Sequence, residues 1–128
     1  MIELKTSSVK INEIVERPWG YYRVLEWQKN YVLKHIVISI NSKISLQLHL
    51  LRNELWYVYS GTGLVTLDDL KFMIFPGNII LIPRNHIHRL ENISNTPLQI
   101  LELQEGDYID ENDIIRIDDA YGLSLIHI

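Results

Sequence analysis

The chain contains no cysteine. Neither a disulfide framework nor a thiolate site can exist, so any metal it holds must be bound by nitrogen and oxygen. It also lacks an apolar run long enough to cross a bilayer and a basic-then-apolar leader, which sets the expectation of a cytoplasmic protein with no membrane partner. Positive charge is not in excess. Twelve Lys and Arg against 16 Asp and Glu give a net charge of −4 with scattered signs, which argues against a nucleic-acid surface. No internal repeat, low-complexity tract or Pro/Gly/Ser linker divides the sequence. The 128 residues, 47% hydrophobic, therefore read as one domain with enough apolar mass for a single core.

What is present is a succession of short strand candidates. After a polar start, Arg17-Pro18-Trp19-Gly20 reads as a turn into a strand ending near Leu25. Further candidates are Tyr31 to Ile40, Lys43 to His49, Leu55 to Tyr59, Leu64 to Leu67, Leu70 to Phe75, Asn78 to Ile82, His88 to Asn92 and Leu98 to Gln104. Asp68-Asp69 has the look of a tight hairpin turn. Close spacing with turn chemistry between strands predicts an all-β sandwich or barrel. Asp110 to Asp119 is expected to be a short helical or irregular appendage on the outside, with Asp110 or Asp113 starting a helix.

Two patterns flank one turn-rich stretch: Gln47-x-His49-x4-Glu54-x6-Gly61, then Gly77-x5-Pro83-x4-His88-x3-Asn92. Strand alternation points Gln47 and His49 the same way, and a hairpin-like reversal over Leu50 to Asn53 is expected to return Glu54 beside His49. Pro83 cannot donate to a sheet ladder, and Arg84-Asn85 turns the chain into His86 and His88, which are two apart and so expected to share a face. One amide, two imidazoles and one carboxylate are then brought together. Such a donor set suits a divalent first-row metal, with Gln47, His49, Glu54 and His88 as ligands.

Simpler readings stand beside these. Gln47 can pair with a neighbour's backbone, His86 can be an ordinary turn histidine, and Lys34 and Arg52 can be solvated charges. Trp19, Trp56 and the Tyr57/Tyr59 pair read as core and rim packing. His35, His127 and the acidic appendage suggest nothing beyond exposure.

The double pattern resembles the two motifs of the cupin superfamily, with Asn41 at the first glycine, Gln47 at the first histidine and Asn85 at the internal glycine. Asparagine tolerates positive φ almost as glycine does. The resemblance narrows further. Arg17-Pro18-Trp19-Gly20, Leu46-Gln47-Leu48-His49, Arg52-x-Glu54-x-Trp56, His88-Arg89-Leu90-Glu91-Asn92, Gly106-Asp107-Tyr108 and Asp113-Ile114-Ile115-Arg116 are similar to type II mannose-6-phosphate isomerase. In many bacteria that module is the C-terminal domain of a bifunctional mannose-1-phosphate guanylyltransferase/mannose-6-phosphate isomerase. The similarity runs from about Glu16 to Gly122, and no counterpart of the transferase half is in this sequence.

This resemblance implies a cupin-type double-stranded β-helix, or jelly roll, with short peripheral helical or irregular segments. It spans residues 1–128 as one domain: a core of about 16–122, an N-terminal arm over 1–15 and a tail over 123–128. The implied activity is that of a stand-alone isomerase interconverting mannose 6-phosphate and fructose 6-phosphate through an enediol. Zinc is the implied metal, since Gln, His, Glu and His also resemble the ligands of type I isomerases. Lys34, His86 and Glu91 are candidate proton carriers, and Arg52, Arg89 and Arg116 candidate anchors for the sugar phosphate. A homodimer is expected, since a small β barrel often hides an edge strand against a second copy.

The sequence also departs from the family. Leu50, Leu51 and Leu55 stand where the family usually has histidine, and the usual Tyr-Gly-Arg end reads Tyr121-Gly122-Leu123. Those departures keep a second class open: a non-catalytic cupin that binds a sugar or nucleotide sugar at a decayed site. Metal-free epimerisation of a nucleotide sugar is a further enzymatic alternative.

Overall fold

The computed structural model describes residues 10–118. Most of the expected N-terminal arm, the Tyr121-Gly122-Leu123 ending and His127 lie outside the described residues. Among the described residues every regular element is a strand, and no helix is long and apolar enough to cross a membrane. One antiparallel sheet runs in the order β1 (Val15–Arg17), β2 (Gly20–Trp27), β3 (Tyr31–Ile38), β10 (Leu98–Glu105), β5 (Asn53–Ser60) and β8 (Ile79–Ile82). The second is ordered β11 (Ile115–Asp118), β4 (Leu46–Leu48), β9 (His88–Glu91), β6 (Gly63–Leu67) and β7 (Leu70–Ile74). From β3 to β10 the chain changes sheet at every step except the β6–β7 hairpin, which is jelly-roll connectivity.

Alternation explains why these segments form half-buried strands. On β5, Glu54, Trp56 and Val58 are buried while Tyr57 and Tyr59 are exposed; on β8, Ile80 and Ile82 are buried while Ile79 and Leu81 are exposed. The inner faces enclose Ile38, Val58, Val65, Leu90, Leu98 and Ile100, all nearly inaccessible. Each such side chain contributes roughly 1.5–3 kcal/mol through burial. A smaller cluster of Tyr22, Val24, Val32 and Ile109 continues the packing.

The turns bear out several local readings. Asp68, at φ 51°, opens the two-residue turn that sets Leu67 opposite Leu70. Asn41 and Asn85 take φ of 58° and 69°, the left-handed conformation that glycine would supply at those motif positions. Gly61 ends β5 at φ 88°, and a Cβ there would lie 2.5 Å from the Pro97 carbonyl oxygen. Both strain and space therefore require glycine.

Two expectations need correction. No hairpin joins His49 to Glu54, because β4 and β5 belong to different sheets; residues 49–52 carry the chain from one sheet to the other. The Asp110–Asp119 stretch contains no helix among its described residues. Its Ile115–Asp118 part is β11, which pairs with β4, and Asp110 and Asp113 are buried. Apolar positions 114 and 115 gave too short a run to reveal a strand whose partner lies about seventy residues earlier.

Candidate metal centre

Sheet switching is what brings the centre together. His49 follows β4, Glu54 is the second residue of β5, and His88 opens β9, which pairs with β4 through Gln47 opposite His88. The five-stranded sheet thus supplies both imidazoles, and the six-stranded sheet supplies the carboxylate across the interior. Ligand atoms of the three buried residues lie within 4.8 Å of one another. His49 Nε2 is 3.0 Å from Glu54 Oε2, and His88 Nε2 is 3.8 Å from Glu54 Oε1.

The hydrogen bonds behind the imidazoles fix their tautomers. His49 Nδ1 donates to the Asp113 carbonyl at 2.6 Å, and His88 Nδ1 donates to the His86 carbonyl at 2.9 Å. A carbonyl only accepts, so both rings carry a proton on Nδ1 and turn Nε2 inward. His88 Nε2 is buried and has no hydrogen-bond partner. A buried lone pair without a partner is costly unless something electron-accepting meets it. Burial pushes the His88 imidazole down, against the pull of Glu54, so the ring is neutral. Burial alone would raise the Glu54 carboxyl, but His49, Arg52 and His88 together hold it well below the usual carboxylate range. Two imidazoles presenting Nε2 and one carboxylate, with an orphaned nitrogen facing the gap, fit a divalent cation.

Arg52 is tied to the same carboxylate. Its Nε and Nη2 lie 3.0 and 2.9 Å from Glu54 Oε2, and Nη2 is 3.2 Å from His49 Nε2. Around this group opens a pocket of about 130 Å³, whose lining includes Lys34, Gln47, Trp56, Glu102, Gln104 and Arg116. Lys34 Nζ bonds Glu111 Oε1 at 2.9 Å and sits 4.4 Å from the centre of the Tyr22 ring. Burial works to lower the Lys34 ammonium, but Glu111 and Glu102 outweigh it and keep the group charged. Glu102 faces Lys34 and Trp56 across neighbouring strands. Burial and then Glu54 push its carboxyl up to about 8. The Trp56 indole N–H lies 3.1 Å from both Glu54 Oε1 and Glu102 Oε2, and Gln104 Nε2 donates to Glu102 Oε1 at 2.7 Å.

The site and the fold agree with what comparison with known proteins finds. The family model described as "Mannose-6-phosphate isomerase C-terminal" matches residues 5–119. The chain belongs to this family. It is 42% identical over 108 residues to the alginate biosynthesis protein AlgA of Pseudomonas aeruginosa, covering 84% of this chain and 22% of that protein. With the mannose-1-phosphate guanylyltransferase RfbM of Salmonella typhimurium it shares 41% over 115 residues, 90% of this chain and 24% of the relative. The chain therefore spans less than a quarter of the length of these curated relatives. Among solved structures, the Schizosaccharomyces pombe Cnp3 cupin domain superposes at a TM-score of 0.66 with 11% identity, over 68% of this chain and 64% of that one. Oxalate decarboxylase from Bacillus subtilis superposes at 0.73 with 16% identity, over 82% and 30%. At such identity they show the fold alone: an all-β cupin jelly roll.

In this isomerase-family cupin the residues singled out from sequence divide into two groups. His49, Glu54 and His88 meet, while Gln47, Lys34, Arg52 and Arg116 line the same pocket. Gln47 Oε1 accepts the Ser45 hydroxyl at 2.8 Å. Arg52 is turned onto Glu54 instead of standing free for a phosphate. His86, Arg89 and Glu91 do not line the pocket. His86 precedes β9, so strand alternation does not extend to it, and its Nδ1 pairs with Asp68 Oδ2 at 2.5 Å on the surface. Arg89 and Glu91 are one and three residues from His88 and so occupy the opposite face of β9. The Arg89 guanidinium bonds the Ile44 carbonyl at 2.9 Å and Asp118 Oδ2 at 3.2 Å. Alternation, applied to these two, would have excluded them.

Sequence reasoning overlooked Glu102, Glu111 and Arg17, all of which line the pocket. Glu102 was legible: on β10 the buried row Leu98, Ile100, Glu102, Gln104 turns from apolar to polar halfway along. Glu111 gave no such signal, since it lies outside any strand. His35, expected to be exposed, is buried between Arg23 and Gln99. Trp56 packs in the core as expected and also bridges two pocket carboxyls.

Proposed function

We propose that this cupin is a metal-dependent isomerase acting on mannose 6-phosphate and fructose 6-phosphate, able to act without an attached transferase. The observation carrying this reading is the buried, unpartnered Nε2 of His88 converging with His49 and Glu54 in a charged pocket. Family membership supplies the substrate class. His49, Glu54 and His88 would hold the cation, zinc by this donor set, with the Gln47 amide oxygen as a neutral fourth ligand. When bound, such an ion stabilises negative charge developing on a sugar oxygen. The remaining work falls to the chain's own groups. Isomerisation moves one proton from C2 to C1 while the O2 hydroxyl proton passes to O1, and Glu102 and Lys34, which face the pocket side by side, would carry the carbon-bound proton and hold the oxyanion. Arg116 and Arg17 line the pocket and serve the phosphate, taking the task first expected of Arg52 and Arg89.

The leucine departures do not strip this pocket. Leu50 and Leu51 are exposed, Leu55 alternates to the outer face of β5, and none of the three lines the pocket. The reading is tested by following fructose 6-phosphate from mannose 6-phosphate in a coupled assay. Turnover that chelator abolishes and zinc restores is expected. Absence of turnover with zinc, manganese and cobalt alike would overturn it.

A further inference from the structure

Building on that metal reading, we infer that Asp113 is the positioning residue of the centre. Its carboxylate fixes the segment joining His49 to Glu54, and its main-chain carbonyl fixes the tautomer of His49.

Residues 49–52 cross from one sheet to the other, so no strand ladder holds them, yet they carry one ligand and lead directly to the next. Asp113 supplies what the ladder does not. Its Oδ1 accepts the Leu50 N–H at 2.9 Å and its Oδ2 accepts the Leu51 N–H at 3.0 Å. Both are charge-assisted bonds to successive amides, stronger than neutral ones. The carbonyl of the same residue takes the His49 Nδ1–H at 2.6 Å. Asp113 is itself buried, and its own N–H donates to the Asp110 carbonyl at 3.0 Å. Gly106 closes the clamp from another direction, since a Cβ there would lie 2.5 Å from the Leu51 carbonyl oxygen.

This arrangement accounts for the leucines. The crossing is held at positions 50 and 51 by backbone N–H groups while the side chains face solvent, so imidazole and isobutyl serve equally there. An aspartate is required in return. A neutral amide offers one acceptor oxygen, and its NH₂ would confront the second N–H.

Two measurements test this on the full chain. In metal-free protein at a pH where the imidazoles are neutral, long-range ¹H–¹⁵N NMR should show His49 as the pure Nδ1–H tautomer. Asp113→Ala keeps the main-chain carbonyl but releases the 49–52 segment from the carboxylate, so His49 should drift off that carbonyl and become a mixture, while His88, held by the His86 carbonyl, stays unchanged and reports an intact fold. Zinc affinity, measured against a chromophoric chelator, should fall about 10–100-fold in Asp113→Ala and less in Asp113→Asn. Asp113→Asn supplies both readouts if the alanine variant does not fold. A His49 tautomer and zinc affinity that stay within about twofold of wild type in a folded variant would overturn the inference. If wild type binds no zinc, the metal reading falls alone, and the tautomer comparison still decides the role of Asp113.

Discussion

The two halves of the barrel interior are built on the same three strands and differ almost completely in chemistry. Toward one end, Val58 on β5 and Leu98 on β10 are sealed in an apolar core, with Ile38 on β3 and Ile100 on β10 at its border with the pocket. Toward the other, Lys34, Glu54, Glu102 and Gln104 continue the same inward rows as buried polar groups. Cross-strand register holds each half together: Leu98 lies opposite Ile38 and Ile100 opposite Val58, whereas Glu102 lies opposite Lys34 and Gln104 opposite Glu54. The lesson is a division of labour along a strand. Apolar burial offsets conformational entropy in one half, and its rigidity lets the other hold charges that would be unfavourable in isolation.

Substitutions in each half sharpen that contrast. The largest effect is expected from Glu54→Gln, which removes the anionic ligand and leaves the buried Arg52 guanidinium without its partner. Zinc binding should be lost in a chelator competition, and denaturant unfolding should show a loss of about 3–5 kcal/mol. Leu98→Ala, in the apolar half and outside the pocket lining, should cost about 2–5 kcal/mol by cavity formation and leave the zinc affinity of the folded fraction unchanged. A parallel fall in affinity would show that the two halves are not separable.

A smaller, pH-dependent effect belongs to Glu102. Its folded carboxyl is raised to about 8 from an ordinary 4.5, so its contribution to stability is fully present below about 4.5 and is lost as the pH rises toward 8. In chelator-treated protein the thermal midpoint of wild type should therefore drop relative to Glu102→Gln between pH 5 and pH 8. Equal slopes would show that Glu102 ionises normally. The smallest effect is expected from Leu50→His with Leu51→His, which restores the family's usual residues on the solvent side. Stability should change by no more than about 0.5 kcal/mol per site, with zinc affinity unaltered.

Much of the site was legible because its logic is local. Two-residue periodicity pointed Gln47 and His49 the same way, and both line the pocket; the glycine and asparagine positions marked the turns that their φ values bear out. The same periodicity misled at His86, where the strand had not yet begun, and it was not applied to Arg89 and Glu91. Glu111 escaped because no repeating pattern reaches it; it lines the pocket bonded to Lys34, 77 positions away.

The sequence by itself determined the donor types, their spacing and the absence of cysteine, and with these an all-β cupin carrying a nitrogen and oxygen site. Only the tertiary structure decided that β4 and β5 lie in opposite sheets, that Arg52 is spent on Glu54, and that Asp113 stands behind His49. Alternation is written within a strand and can be read there. Which groups meet across the interior depends on the register between strands tens of residues apart, and that register is set by how the two sheets close on a shared core.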